Sequence, residues 1–455
     1  MHSLRGQEWW RRQAPGNTGR GCTVAVTDAH GKDSPDKGSK DEDTKDKESN
    51  LPFHALLLFT FILFLAPQQI FPVLAPLRIA MLSIVLAVTT LVGSRLSQGQ
   101  PIMSYPGGVV IVLALTGWAI LTIPLSLWPG GSVAFLTEKY FKTIIVFLLL
   151  ASVINTAARL RGICLALVLM AVPLALTAIR NLLTGVTMIG GQRIIGYDAP
   201  LAENPNDMAL LTNLLLPLAI GFFLSSKTGL RKLGFGALIL LMVTAIFATF
   251  SRAGFLTLGV TFFCYLILLR SRPERHLAPL LLIVVVVALP FMPGDYLGRL
   301  GTITNIESDT TNSAQTRLRD YLSAVQLVFD NPLTGTGVGT NMLAMNEARG
   351  ATWTEIHNVY LTLSVELGLP GLALFLMLVI ASIRAALAMQ ARSKGEPVLL
   401  EMYCLAEGLK VSLIAFSVAA LFHPVAYHFY FYYIAGLAMA LTQINPTVVA
   451  VRSRN

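Results

Sequence analysis

A histidine stands at the head of a long apolar segment, in the run Ile356-His357-Asn358-Val359-Tyr360. The ordinary pKa of an imidazole is about 6.5, so its neutral form can accept a proton near pH 7. Asn358 could orient a hydroxyl group beside it. A histidine at such a boundary could instead cap the helix or lie at a membrane interface. We expect His357 to act as the base, with Asn358 as a secondary candidate.

Arginines at segment boundaries are the second group of residues that could do chemistry. Arg252 lies between two apolar segments, where a charge is costly unless it is paired or functional, although it could also snorkel to headgroups. Arg193 and Arg317 lie in polar segments, where each could grip a phosphate bidentately or pair with a nearby carboxylate. We expect these three arginines to bind an anionic substrate and Arg252 to assist catalysis. Arg319 and Lys142 are secondary candidates.

Two further features near His357 bear on this chemistry. Glu366 lies nine residues further along, about 13 Å deeper on the opposite face of a helix, so we expect it to pair elsewhere. The glycine-rich run 335–339 lacks the spacing of a dinucleotide-binding loop and is expected to let backbone approach a ligand or the helices closely.

The arginines can bind the negative charges of a diphosphate, and a neutral histidine can accept a proton from a hydroxyl. Together these residues indicate transfer from a lipid diphosphate to a hydroxyl, with no metal or cofactor expected.

The composition of the chain is typical of a membrane protein. Of the 455 residues, 54% are hydrophobic and only 13% are charged, whereas soluble domains average about 25% charged. The mean hydropathy is +0.64. Apolar blocks of about 18–20 residues, the length that crosses a bilayer core, recur along the chain. They predict an all-α integral membrane protein with about twelve transmembrane helices, near 52–70, 74–93, 108–127, 140–156, 162–181, 208–225, 233–250, 253–270, 277–292, 357–381, 405–423 and 429–447.

Charge in the short connections predicts the orientation of these helices. Lys and Arg resist translocation, and most of them fall on the side of the N-terminal tail. We therefore expect both termini in the cytoplasm and two polar loops outside, near 182–207 and 293–356. The longer loop, between helices 9 and 10, carries its own amphipathic helix near 313–330. Its apolar residues recur at helical spacing, and we expect it on the membrane surface or across the mouth of the helices: Leu318, Tyr321, Leu322, Val325, Val328 and Phe329.

The domain organisation is simple. Residues 1–50 are rich in charged and small polar residues, which predicts a disordered cytoplasmic tail, and residues 51–455 form the polytopic membrane domain. The four cysteines have no spacing typical of a disulfide framework or a metal site, and we interpret them as apolar filler: Cys22, Cys164, Cys264 and Cys404.

Four motifs occur in an order that resembles the superfamily of bacterial O-antigen ligases and Wzy-type O-antigen and exopolysaccharide polymerases. Each motif is weak alone, but their order and their fit to the predicted topology are specific. They are Arg193 with Asn204-Pro205-Asn206-Asp207, Ser251-Arg252-Ala253-Gly254, Ser313 to Leu318 followed by Asn331 to Gly339, and His357-Asn358 followed by Glu366-Leu367-Gly368 and Pro370-Gly371.

The resemblance implies a GT-C-like, metal-independent glycosyltransferase of the bacterial inner membrane with a periplasmic active site. The donor would be a glycan on undecaprenyl diphosphate, held by Arg193, Arg252 and Arg317. His357 would activate the acceptor hydroxyl, and the anomeric configuration would invert. The implied partners are membrane lipids, a glycan or lipid A–core acceptor, and other polysaccharide-assembly proteins, whereas nucleic acid is not expected.

The choice among related activities stays open at this point. A ligase would use lipid A–core as acceptor in lipopolysaccharide biosynthesis, and a polymerase would use a second lipid-linked repeat unit. A protein O-oligosaccharyltransferase belongs to the same superfamily. A transporter is the alternative from a different class, but its expected charges at mid-membrane are not a feature of this sequence.

Overall fold

A computed structural model describes residues 49–103, 105–188, 193–276, 313–350 and 353–445. Within these ranges the chain is helical apart from loops and one isolated bridge between Thr187 and Ile194. The helices of nine or more residues are α1 (Leu51–Leu65), α2 (Ile79–Ser97), α3 (Gly107–Leu121), α4 (Phe141–Val153), α5 (Ala157–Thr184), α6 (Pro205–Ser225), α7 (Gly229–Ala248), α8 (Arg252–Leu269), α9 (Ser313–Asp330), α10 (Asn341–Arg349), α11 (Val359–Ser393), α12 (Leu400–Ala419) and α13 (Phe429–Ala440).

Six of these helices are long and apolar enough to cross a membrane: α2, α5, α6, α7, α8 and α11. Helices α1, α3 and α13 are apolar but shorter. Each predicted helix has a counterpart in the described part of the chain, except the one near 277–292, which lies outside the described residues. The tail of residues 1–50, predicted to be disordered, also lies outside them apart from residues 49 and 50. The all-helical class is confirmed, and the number of twelve spans stays a prediction.

Basic residues gather at one end of the helices. Arg159, near the start of α5, donates to the Ser49 carbonyl oxygen and to Asn50 Oδ1 beside the start of α1, at 3.1 and 3.2 Å. Arg161 pairs with Glu401, near the start of α12, at 2.9 Å. Since α5 ends and α6 and α11 begin at the opposite end, the loops with the candidate residues lie away from these arginines.

The centre of the molecule is a close packing of α6 against α12. A Cβ added to Gly408 would lie 2.6 Å from the carbonyl oxygen of Pro217, so only glycine permits this approach. The hydroxyl of Ser412 donates to the carbonyl oxygen of Leu214 at 2.7 Å. Small residues that bring helix backbones together are typical of helix contacts in membranes. This rigid pair supports α11 and α13 beside it.

Helix α11 contains a break at Gly368, where φ is 68° and ψ is −176°. The break lets the chain segment after α9 dock on α11, because the backbone N–H of Leu369 donates to the carbonyl oxygen of Pro332 at 2.8 Å. Gly335, with a φ of 66°, packs directly against the backbone of Glu366. The glycine-rich run therefore lies against α11, as the sequence predicted.

Helix α9 is present where the amphipathic pattern predicted it. Ala324 is fully buried, and Leu327 and Val328 pack beside it against α10 and α11. Leu322 and Phe329, which belong to the predicted apolar stripe, are 66% and 75% exposed. Helix α9 thus packs on the rest of the protein through the face that includes Ala324, and its placement on the membrane surface stays a prediction.

Gly368→Ala should destabilise the protein more than Gly350→Ala, although both glycines have a φ of 68°. An alanine held at such a positive φ, outside the left-handed helical well because ψ is −176° or 118°, costs about 1–3 kcal/mol at either position. At Gly368 the new Cβ would also overlap the carbonyl oxygen of Leu333, whereas at Gly350 no atom lies within 4 Å. We expect about 3 kcal/mol in total at Gly368, measured by denaturant unfolding in detergent. Equal losses in the two variants would show that the break at Gly368 is not tightly packed.

Candidate functional site

His357 immediately precedes the first turn of α11, and hydrogen bonds hold both its Nδ1 atom and its backbone oxygen. Its ring nitrogen Nδ1 lies 2.9 Å from the carbonyl oxygen of Glu355. Because a carbonyl oxygen can only accept, Nδ1 carries the hydrogen in the neutral ring and Nε2 keeps its lone pair. The His357 carbonyl oxygen accepts from the Tyr321 hydroxyl at 2.9 Å. The ring is therefore oriented with Nε2 available as a proton acceptor.

Asn358 is the N-cap of α11. Its side-chain oxygen accepts from the backbone N–H groups of Tyr360 and Leu361 at 2.9 and 3.2 Å. Satisfying these free donors is the usual role of asparagine at a helix start. Asn358 thus fixes where α11 begins and so where His357 stands, and capping occupies the oxygen that was a candidate for orienting a hydroxyl.

Helix α9 brings Arg317 to His357. Tyr321, four residues after Arg317 and therefore on the same face of the helix, bridges to His357 and to the carbonyl oxygen of Leu421, the latter at 2.7 Å. Burial lowers the pKa of His357, the charge of Arg317 lowers it further, and the hydrogen bond to the Glu355 carbonyl raises it. The net result is a histidine that is neutral near pH 7.

His423, between α12 and α13, joins the same group of side chains. It is 2% exposed, and its Nδ1 and Nε2 atoms lie 3.0 and 3.4 Å from the carbonyl oxygens of Ala419 and Asn206. Burial lowers the pKa of His423, the two hydrogen bonds raise it, and the charges of Arg317 and His357 lower it. The structure thus buries His423 close enough to the candidate base for their charges to interact.

Arg193 reaches this group through Asn206. Its guanidinium donates to Asn206 Oδ1 at 3.2 Å, and the Asn206 backbone oxygen faces His423. Asn204 caps α6 by accepting from the Asn206 backbone N–H at 2.8 Å. Arg193 and the cap residue Asn204 therefore meet at Asn206, at the start of α6. We call the set Arg193, Asn206, Arg317, His357 and His423 the His–Arg cluster.

Arg252 begins α8 at the same end of the molecule. Ser251 caps this helix by accepting from the Gly254 backbone N–H at 3.1 Å, after Phe250 has turned the chain with a left-handed φ of 52°. A Cβ on Gly254 would lie 2.6 Å from Ala209 Cβ, so the start of α8 is pressed against the first turns of α6. Arg252 is thus placed on the helix next to the one that carries Asn206.

The two secondary basic candidates stand apart from the His–Arg cluster contacts described above. Arg319 is exposed on α9, two residues from Arg317 and so on a different face. Lys142 is exposed near the start of α4. Lys139, one turn earlier, has clearer links to the site. It lies 5.5 Å from the ring centre of Phe135, and its charge acts on Glu355 and His428.

Glu355 is a site residue that the sequence did not single out. Although its side chain keeps contact with solvent, desolvation by the surrounding protein raises the pKa of Glu355 from 4.5 to about 7. The carboxylates of Glu366 and Asp207 raise it as well, and Lys139 lowers it. An acidic side chain two residues before the base was visible in the sequence, but its neighbours come from α6, α11 and the turn before α4. Only the fold reveals that it titrates near neutrality.

No set of three or more His, Cys, Asp or Glu side chains suited to a metal ion occurs in the described part of the chain. This finding covers geometry alone, and the metal-independent mechanism stays a prediction.

Residues 237–376 match the family model described as O-antigen ligase. The predicted resemblance is confirmed for this segment. It runs from α7 into α11 and contains Arg252, Arg317, His357, Asn358 and Glu366, whereas Arg193 and His423 lie outside it. A search of the curated proteins found no match.

The O-antigen ligase match and the apolar helices together describe a multi-pass membrane protein with a domain for glycan transfer in polysaccharide assembly. Proteins with this domain act on glycans and lipid-linked substrates, which is consistent with basic residues at the end of a helix bundle. The donor, the acceptor and the stereochemistry are not specified by the match.

Glu355→Gln should change stability in a pH-dependent way. Because folding raises this pKa from 4.5 to about 7, the unfolded chain loses its proton first and stability falls as pH rises between these values. The glutamine variant lacks this loss. We expect its melting temperature relative to the parent to be higher at pH 8 than at pH 5, measured in detergent. A constant difference at the two pH values would contradict the raised pKa.

Proposed function

We propose that the protein transfers a glycan from undecaprenyl diphosphate to an acceptor hydroxyl at the periplasmic face of the bacterial inner membrane. The observation that carries the proposal is the convergence of Arg193, Arg317, His357 and His423, which come from four separate segments, at the end of the helices opposite the basic end. The arginine guanidinium groups can bind a diphosphate leaving group bidentately, and the neutral imidazole can accept the proton of a hydroxyl nucleophile.

The proposed step is a single displacement at the anomeric carbon. The acceptor hydroxyl forms a bond to this carbon as the bond to the diphosphate oxygen breaks, and the hydroxyl proton passes to Nε2 of His357. Arg193, Arg252 and Arg317 stabilise the negative charge that develops on the departing diphosphate. Attack opposite the leaving group inverts the configuration of that carbon.

The orientation of the ring supports this assignment of the proton. The Glu355 carbonyl fixes the hydrogen on Nδ1, so the lone pair that accepts the proton is on Nε2. Burial and Arg317 lower the pKa of His357, which keeps that lone pair available near pH 7. Once the diphosphate is bound, its negative charge would offset that of Arg317 and help the imidazole to hold the incoming proton.

The proposed membrane arrangement follows the distribution of charge. The end with Arg159 and Arg161 would face the cytoplasm with both termini, since basic residues are retained there. The His–Arg cluster would then face the periplasm, where lipid-linked glycans are assembled. We propose twelve spans in a GT-C-like arrangement, which requires a span among the residues between α8 and α9.

The acceptor separates two versions of the proposal. In a ligase it is a hydroxyl of lipid A–core, and in a polymerase it is a hydroxyl of a second lipid-linked repeat. The surface glycan of a deletion strain distinguishes them. Single repeats on lipid A–core would indicate a polymerase, and lipid-linked polymer absent from lipid A–core would indicate a ligase.

His357→Ala should fail to restore the glycan of the deletion strain, because loss of a general base lowers the rate by about 10²–10⁴-fold. His54→Ala is the matched control, since His54 is an exposed histidine in α1 at the basic end. It should restore the glycan fully. The measurement is the glycan profile on gels at matched amounts of folded protein in the membrane.

Two results would count against the proposal. Normal glycan from the His357→Ala protein would remove His357 as the base. Unchanged glycans in the deletion strain, together with altered uptake of an anionic solute, would favour transport over glycan transfer.

A further inference from the structure

Glu366 is fully buried in α11, and its carboxylate has three donors. Oε2 accepts from the backbone N–H of Gly339 at 2.9 Å. Oε1 accepts from the backbone N–H and the side-chain amide of Asn341 at 2.9 and 2.7 Å. A buried carboxylate is costly unless such donors replace water. None of the three donors belongs to α11, so Glu366 serves to hold a different segment.

That segment is the glycine-rich run with the first residue of α10. Gly337 donates its backbone N–H to the Glu366 carbonyl oxygen at 2.9 Å, so the carboxylate and the backbone of Glu366 both bind the run. Thr336 donates its backbone N–H to the Val365 carbonyl oxygen at 2.7 Å. The position of α10 therefore depends on Glu366.

Helix α10 in turn holds the residue before His357. Ile356 is fully buried in a small apolar cluster with Ala344 and Met345 of α10 and Val365 of α11. The backbone N–H of Ile356 also points toward Asn341 Oδ1 at 3.5 Å, and this long contact helps to orient Ile356 on α10.

The carbonyl oxygen of Ile356 completes the link to the base. It accepts from the Asn358 N–H at 2.8 Å and from the Thr362 hydroxyl at 3.1 Å. His357 lies between these two anchored residues. Because Ile356 packs on Ala344 and Met345, we expect a shift of α10 to displace Ile356 and the adjacent imidazole.

We infer that Glu366 and Asn341 are positioning residues for His357, acting through α10 and Ile356. The inference rests on the proposed function for its kinetic consequence, but the position of the imidazole can be measured without any transfer. His357 precedes α11, and Glu366 acts on it through the contacts of Asn341, α10 and Ile356.

Glu366→Gln is the sharpest test. Both carboxylate oxygens accept hydrogen bonds, so a glutamine must turn its NH₂ group toward one of the N–H donors. Glu347→Gln, an exposed position on α10, is the matched control for the loss of one charge. Asn341→Asp alone places a second carboxylate against that of Glu366. In the double variant with Glu366→Gln, the amide and the carboxylate exchange positions. This restores one donor–acceptor pair and should recover part of the lost activity.

The first readout is independent of transfer. Full-length protein in nanodiscs is treated with diethyl pyrocarbonate, and modification of each histidine is followed by mass spectrometry across pH. In Glu366→Gln we expect the rate or midpoint at His357 to change while His54 is unaffected, and Glu347→Gln to match the parent. An unchanged His357 profile in folded Glu366→Gln protein would overturn the inference, even if the protein transfers glycan as proposed.

The second readout is the rate of transfer. Misplacing a catalytic group by about 1 Å can cost about 100-fold, so we expect kcat to fall in Glu366→Gln with little change in KM for the donor. Adding Glu366→Gln to His357→Ala should cause no further loss, since the group it positions is already absent. If the losses from the two substitutions multiply in the double variant, Glu366 acts independently of His357. If His357→Ala alone is fully active, the proposed function fails while the modification experiment still decides the inference.

Discussion

The buried carboxylate of Glu366 is the interaction on which the arrangement of the site depends. It lies two residues before the break in α11, where Gly368 frees the backbone to meet another segment. It accepts from the backbone N–H of Gly339 in the glycine-rich run and from Asn341 at the start of α10. These contacts offset the cost of burying a carboxylate, since they replace its hydrogen bonds to water. The run, α10 and the start of α11 therefore behave as one unit, and His357 belongs to that unit.

Electrostatics then give the unit its chemical character. Arg317 on α9 lies close enough to His357 and His423 to lower the pKa of both imidazoles. The same charges that keep the histidines neutral would attract an anionic substrate. The charges of Asp207 and Lys139 act on Glu355, which lies two residues before His357 and has a pKa of about 7. Charges of both signs thus act on the residues around the one proposed to move the proton.

Local signals in the sequence were sufficient for much of this structure. Apolar segment length located the described helices, because a helix that crosses a bilayer needs an apolar run of that length. The partners of Glu366 were not predictable, since they are two backbone N–H groups and one side-chain amide some 25 residues away that carry no sequence signature. The burial of His423 was not predictable for a similar reason, because it comes from contact with the start of α6.

The central claim is that the His–Arg cluster carries out glycan transfer from a lipid diphosphate with inversion. Its most direct measurement uses purified protein in nanodiscs with a synthetic polyprenyl-diphosphate-linked glycan and an acceptor glycan. NMR follows the anomeric configuration of the product, and chromatography follows the released polyprenyl diphosphate. We expect one diphosphate released per glycan transferred and an inverted anomeric centre. Retention of configuration, or diphosphate release without a glycosidic product, would contradict the claim.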